Sequence, residues 1–171
     1  MASESQAVGL AKMSLKYFLE TGSILPVPAT LGDELKGRAG VFVSLKKQGQ
    51  LRGCIGTFEP TRLNIASEII YNAISAGTED PRFWPVELEE LVEITISVDI
   101  LEAPELIDSV DKLDPQKYGV IVKRGRRSGL LLPMLEGVDT VDEQISIAKE
   151  KAGIGTEEET ELYRFSVARY T

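Results

Sequence analysis

Histidine is absent from all 171 residues, and cysteine occurs once, at Cys54. Together these absences exclude a Cys/His or Ser/His dyad, an imidazole-based metal site and an internal disulfide. With one cysteine and no histidine a tetrahedral zinc centre is not expected, and the reading includes no metal and no cofactor. Proton transfer is left to carboxylates, the thiol, tyrosine, lysine or water. Positive charge is also scarce: 19 Lys and Arg against 27 Asp and Glu give a net charge of −8. A surface of that sign does not clamp nucleic acid over its whole extent, and only a local basic patch remains for phosphates. No run approaches eighteen apolar residues, and the start, Met1-Ala2-Ser3-Glu4, has neither a basic flank nor an apolar signal core. The expectation is a cytoplasmic protein with no membrane segment.

A chain with 43% hydrophobic and 27% charged residues is long enough to bury a core, and the expectation is one domain, residues 1–171, of two lobes. Ser3 and Gln6 have capping-box spacing, and Val8, Ala11, Leu15 and Phe18 then recur every three or four residues, which predicts a helix over 4–20 stopped by Gly22. Residues 23–38, with Pro26, Pro28, Gly32 and Gly37, predict a long surface connection. Strand composition over 41–45, a turn at 46–50 and a return through 51–58 predict a hairpin. Thr61 is the expected cap of a helix bearing Ile65, Ile69, Ala73 and Ala76, ended by Gly77. Pro85 is expected to open a short turn through Glu90. Val92, Ile94, Ile96, Val98 and Ile100 alternate with polar residues and predict a strand with one buried face.

A connection with Pro104 and Pro115 leads to a second predicted hairpin, Gly119 to Lys123 and Gly129 to Leu132, tipped by Arg124-Gly125-Arg126-Arg127-Ser128. The apolar run ending in Leu130-Leu131-Leu132-Pro133 predicts a strand buried on both faces. Thr140 and Glu143 open a helix with Val141, Ile145, Ala148 and Ala152 on one face, stopped by Gly153, and Tyr163, Phe165 and Val167 alternate in a last strand. Helices mixed with antiparallel hairpins, without a βαβ repeat, define an α+β class. A hairpin-then-helix unit occurs twice, at 40–77 and 118–153.

The chemistry concentrates around Leu51-Arg52-Gly53-Cys54-Ile55-Gly56. Glycine within a strand marks a bulge or the close approach of a backbone or ligand, so Gly53 and Gly56 predict crowding beside Cys54. Residues i and i+2 share a strand face, with Cα atoms about 7 Å apart, so Arg52 and Cys54 project together while Leu51 and Ile55 pack inward. Arg52 then favours the thiolate, the nucleophilic form. The alternative is a buried structural thiol, with Arg52 reaching past the sheet edge. Asp80-Pro81-Arg82-Phe83 sets an acid and a base in a turn stiffened by Pro81; Asp80 is a candidate proton acceptor and Arg82 a candidate anion clamp. Alternatively Asp80 caps the turn and Arg82 pairs with Glu87, Glu89 or Glu90. Glu59, at the end of the Cys54 strand, is a second candidate carboxylate. The basic tip, Arg127 included, is a candidate site for an anionic ligand or acidic partner, or else a solvated turn. No phosphate loop is present, because the glycine-lysine-serine ending is missing.

These stretches together resemble the AMMECR-one domain family. The matching pieces are Gly40-Val41-Phe42-Val43, the hexapeptide with Glu59-Pro60, Asp80-Pro81-Arg82-Phe83, Gly125 through Pro133, Lys151-Ala152-Gly153 and the strand of Tyr163-Arg164-Phe165. They run in the family's order over residues 38–168. Leu135 through Thr140 resembles the prokaryotic members, which accompany a Memo-type dioxygenase-like protein and a radical-SAM enzyme; the resemblance makes those two proteins possible partners. It implies an α+β domain of two unequal lobes, with the hexapeptide near the groove between them, and it supplies no reaction. Lys117-Tyr118-Gly119 stands where many members carry a histidine, and Trp84 replaces a small residue or proline. Two functions are therefore weighed. One binds or modifies a small anionic or polar metabolite, with Cys54, Asp80 and Glu59 as catalytic candidates and Arg52, Gly53, Gly56, Arg82 and Arg127 as ligand contacts. The other is an interaction module without turnover.

Overall fold

The computed structural model describes residues 4–171. Helix α1 is Gln6–Thr21, and its cap is Ser5, whose hydroxyl accepts the Val8 N–H. The expected cap at Ser3 lies outside the described residues. Gly22 ends the helix in the left-handed conformation that glycine adopts at least cost. Strands β1 (Val41–Lys47) and β2 (Gln50–Thr57) form the first hairpin. Helix α2 is Ile65–Thr78, followed by a 3-10 turn over Leu88–Glu93 and by β3, Ile94–Leu101. Then come β4 (Glu105–Ile107), β5 (Gly119–Arg124), β6 (Arg127–Leu131), helix α3 (Val141–Ala152), β7 (Glu161–Phe165) and β8 (Val167–Tyr170).

The strands form two four-stranded sheets, ordered β2-β1-β3-β8 and β4-β7-β5-β6. The chain accordingly divides into two compact units, one running to Ile100 and regaining Ala168–Thr171, the other Leu101–Val167. The first has α1 and α2 against Val41, Val43, Leu45, Ile96 and Val98, all buried. In the second, Val120, Val122 and Leu131 meet Ala148 of α3. The architecture is α+β.

The repeated hairpin-helix unit has a physical signature. In each unit the outer hairpin strand carries a glycine pressed against the following helix: a Cβ on Gly53 would lie 2.2 Å from the Ala76 carbonyl oxygen, and one on Gly129 2.0 Å from that of Ala148. The strand after each helix then returns antiparallel to the inner hairpin strand, β3 on β1 and β7 on β5.

Several local expectations are corrected. Helix α2 is capped by Asn64, because Thr61 turns its N–H and hydroxyl to Glu68 instead. It also runs through Gly77, where the missing side chain makes room for Leu15 of α1. The short turn starts at Leu88 under a Glu87 cap rather than at Pro85. Val92 belongs to this turn and is 91% exposed, so the strand begins two residues later than its alternation predicts. Leu130 is only half-buried, so β6 is not covered on both faces. Ser166 interrupts the last predicted strand, sending β7 and β8 to different sheets, and β4 was expected as plain connection. If the glycine-to-helix contact sets strand position, urea denaturation of Gly53→Ala should show a loss of about 2–3 kcal/mol from overpacking. Gly37→Ala, at a site with open space for a Cβ, should stay within about 0.5 kcal/mol of the parent.

Candidate functional site

The hexapeptide lies on β2, the outer strand of its sheet. Its pairing with β1 is not regular: Leu45 faces Gly53, whereas Lys46 faces Leu51, so Arg52 is an extra residue without a partner. Such a bulge breaks the two-residue alternation. Gly53 and Ile55 turn toward the helices, opposite Leu45 and Val43, while Cys54 and Gly56 take the other face, opposite Ser44 and Phe42. Leu51 is 41% exposed instead of packing inward with Ile55. The crowding predicted by the two glycines comes from the protein itself: the α2 backbone at Gly53 and the Phe42 ring at Gly56, 2.3 Å from where a Cβ would be.

The bulge also separates Arg52 from Cys54. The Arg52 guanidinium donates to both Glu90 carboxylate oxygens, at 3.1 Å each, and to the Trp84 and Pro85 carbonyls at 2.8 and 3.4 Å. Glu90 also accepts from the Glu87 N–H and from Lys47. Arg52 and the other donors bring the Glu90 carboxyl down to about 2. The expected electrostatic partner of the thiol is thus a tie that holds residues 84–90 against the sheet.

Asp80 and Arg82 form a second tie. Asp80, 5% exposed, accepts Arg82 Nε at 3.0 Å and Nη2 at 2.7 Å, the Arg82 backbone N–H, and the Cys54 backbone N–H at 3.0 Å. Arg82 Nη2 also reaches the Cys54 carbonyl at 3.5 Å. Both polar groups that Cys54 presents along the sheet edge are covered by this pair, as a neighbouring strand would cover them. The fork of hydrogen bonds from Arg82 holds the Asp80 carboxyl well below the usual carboxylate range. Asp80 is therefore committed to its ion pair and is a poor proton acceptor at neutral pH. Arg82 keeps more than half of its side chain exposed, and its Nη1 has no partner among the described residues.

Cys54 Sγ stands 3.2 Å from Ser44 Oγ. Burial pushes the thiol above its ordinary value, against the opposing effects of the Ser44 hydrogen bond and the Arg82 charge. That direction works against the thiolate expected from the Arg52 pairing. On the same face Ser44 opposes Ser97 on β3, and the next row carries Gly56, Phe42 and Asp99. Asp99, 4% exposed, is gripped by Arg169 of β8 through two 2.7 Å bonds.

Cys54, Asp80 and Arg82 are thus brought into contact, with Gly53 and Gly56 on the same strand. Arg52 is on the strand but turned to Glu90. Glu59 is exposed in the bend after β2 and takes no part in these bonds. Arg127 belongs to the second unit, bound to Glu158 at 3.0 and 3.3 Å and to the Gly153 carbonyl, and Arg124 shares the same carboxylate. Two of the basic tip's cations are therefore already engaged by one carboxylate.

One buried carboxylate was missed. Glu68, 1% exposed on α2, accepts from the Thr57 hydroxyl at 2.8 Å, the Arg62 N–H at 2.7 Å, and the Thr61 N–H and hydroxyl, binding the end of β2 to the loop that follows. The signal available was an acid on the apolar side of a helical pattern, four residues after Asn64. The two cavities of note, about 420 Å³ beside Leu106, Ile107 and Leu162 and about 340 Å³ beside Leu88, Leu91 and Ile94, include none of the hexapeptide. The candidate site is an open sheet edge and face. Among the described residues no cluster of three or more metal-ligating side chains occurs, and no helix is long and apolar enough to cross a membrane.

An α+β unit whose outer strand is bulged at an arginine and sealed by an Asp-Pro-Arg turn defines the class. The chain belongs to the AMMECR1 family, whose model matches residues 8–170. A protein of Thermotoga maritima is 50% identical to it, with 99% of each chain covered. A Clostridium acetobutylicum protein is 53% identical over 95% of this chain, which spans only 35% of that longer protein. Among solved structures, the crystal structure of the uncharacterized protein PH0010 from Pyrococcus horikoshii matches with a TM-score of 0.86 at 34% identity, covering 95% of this chain and 88% of that one.

Two measurements check the electrostatics. Iodoacetamide should label native Cys54 slowly at pH 7, with the rate rising only above the ordinary thiol range, near pH 8.5 or higher. Because Glu90 and Asp80 are depressed in the folded state, the unfolded chain takes up protons first as pH falls. Their contribution to stability is whole above about pH 4.5 and drains away as pH falls toward 2. Melting temperature should drop across that window, and Glu90→Gln should lower it at pH 7 while flattening the drop.

Proposed function

We infer that the open edge and face around Cys54 bind a small anionic or polar ligand without covalent chemistry. The supporting observation is Arg82. Two of its nitrogens are held by a buried carboxylate, which fixes the guanidinium in place; Nη2 also reaches the Cys54 carbonyl, Nη1 has no hydrogen-bond partner among the described residues, and 57% of the side chain is exposed. A pre-positioned fork loses little freedom on binding and suits a carboxylate, while Ser44 and Cys54 offer hydroxyl and thiol groups on the adjoining face. Turnover is disfavoured by the same geometry, since burial works against the thiolate, Asp80 is committed to its ion pair and Glu59 lies outside the bonded group.

A second reading rests on the Clostridium relative, where a region like this one makes up about a third of a longer protein. A domain carried beside other segments suits an interaction module, and a Memo-type or radical-SAM protein is the partner that the family resemblance suggests.

Trp84, 87% exposed and two residues after Arg82, gives a fluorescence readout. Titration with acetate, succinate, citrate and inorganic phosphate should yield saturable binding of at least one carboxylate. Arg82→Lys, confirmed folded by circular dichroism, should weaken it at least tenfold. No saturable binding by any of these, or binding untouched by the substitution, would sink the reading.

A further inference from the structure

An edge strand exposes the backbone groups of every second residue, and each must be paired, covered or wet. Cys54 N–H and C=O point off β2, because both meet the Asp80–Arg82 pair. Two residues on, Gly56 must point the same way, since antiparallel pairs alternate between bonded and non-bonded positions. Unlike Cys54, Gly56 has no hydrogen bond on this side among the described residues. The sheet edge thus holds one sealed position followed by one open position.

The seal is asymmetric. Asp80 takes the N–H of Cys54, and Arg82 takes its C=O, the group nearer to Gly56 along the strand. The open position is therefore bordered by a cation whose Nη1 is unoccupied. We propose that this edge receives the C-terminal end of an extended peptide, laid antiparallel to β2, with its last residue paired to Gly56 and its terminal carboxylate shared between the Gly56 N–H and Arg82 Nη1. The inference rests on the ligand reading above and names the ligand's class.

Direction and length follow from the charges. An antiparallel strand brings its carboxylate toward Arg82, whereas a parallel one would bring an ammonium group against the guanidinium. A strand that continued past Gly56 would meet Cys54, whose N–H and C=O are already taken, so the peptide must end there. Strand addition of this kind takes affinity from main-chain bonds and carboxylate capture, and leaves side-chain selectivity to neighbouring surface. Phe58, 37% exposed just past the strand, is the nearest apolar surface along the chain for an upstream side chain.

The test uses a pool of random acetylated hexapeptides with free C-termini, the same pool amidated, and the free-acid pool N-methylated at its last residue. Protein is immobilised and retained peptide is quantified by mass spectrometry. The free-acid pool should be retained at least tenfold above both others, because amidation removes the charge and N-methylation removes the donor to the Gly56 carbonyl. Hydrogen exchange at the Gly56 amide should slow when the free-acid pool is present. Equal retention of free-acid and amidated pools, including retention through acidic side chains alone, would overturn the proposal, as would unimpaired binding of the N-methylated pool or an unprotected Gly56 amide. If acetate or succinate still binds in an Arg82-dependent way, the loss falls on the peptide assignment alone; if no carboxylate binds, the ligand reading falls with it.

Discussion

A strand at the border of a sheet must dispose of its outward N–H and C=O groups, and much of the first unit follows from how β2 does so. At Cys54 the solution is an ion pair rather than another strand: Asp80 accepts the N–H and Arg82 donates to the C=O. Pro81 stiffens the turn that carries both side chains. The neighbouring segment is held by a second pair, in which Arg52 grips Glu90 and two carbonyls of residues 84 and 85. Once these ties are made, the outward groups of Cys54 are closed to a further strand, whereas those of Gly56 have no hydrogen bond among the described residues.

The same economy explains how an acidic chain uses its few arginines. Arg52, Arg82, Arg127, Arg164 and Arg169 each bond a carboxylate within their own unit. In four of these pairs one side chain is three-quarters or more shielded from water, which makes the bonds matter more than exposed pairs do. Cations that stand out in the sequence as possible anion sites are therefore mostly consumed as structural ties. Arg82 differs because it keeps 57% of its side chain exposed, more than any of the other four.

The doubled hairpin-helix-strand arrangement shows how glycine serves packing at a distance. Gly53 and Gly129 occupy matching places on the outer hairpin strands, and each admits a helix carbonyl to a distance that no side chain permits. Seen in sequence, the two glycines differ in context, one beside a cysteine and the other beside a basic turn. In the fold they perform the same task, which moves the explanation of the hexapeptide's first glycine from ligand access to helix docking.

Local signals determined a good deal from sequence alone. Periodicity marked the three helices, strand composition around a turn marked the first hairpin, alternation marked β3, and Gly22 and Gly153 stopped their helices because a left-handed residue there is inexpensive only for glycine. The absence of histidine by itself restricts the chemistry. What only tertiary structure decided involves partners distant along the chain. The bulge at Arg52 depends on register with β1 and reverses a face assignment that strict alternation had made. The fate of Arg52 depends on Glu90, 38 residues away, and the covering of Cys54 depends on Asp80, 26 residues away. Spacing within a segment specifies which residues share a face, but a side chain's charge state and availability are set by whatever the fold brings against it. For Cys54 that was burial and a sealed backbone, which work against the thiolate that a nucleophile needs.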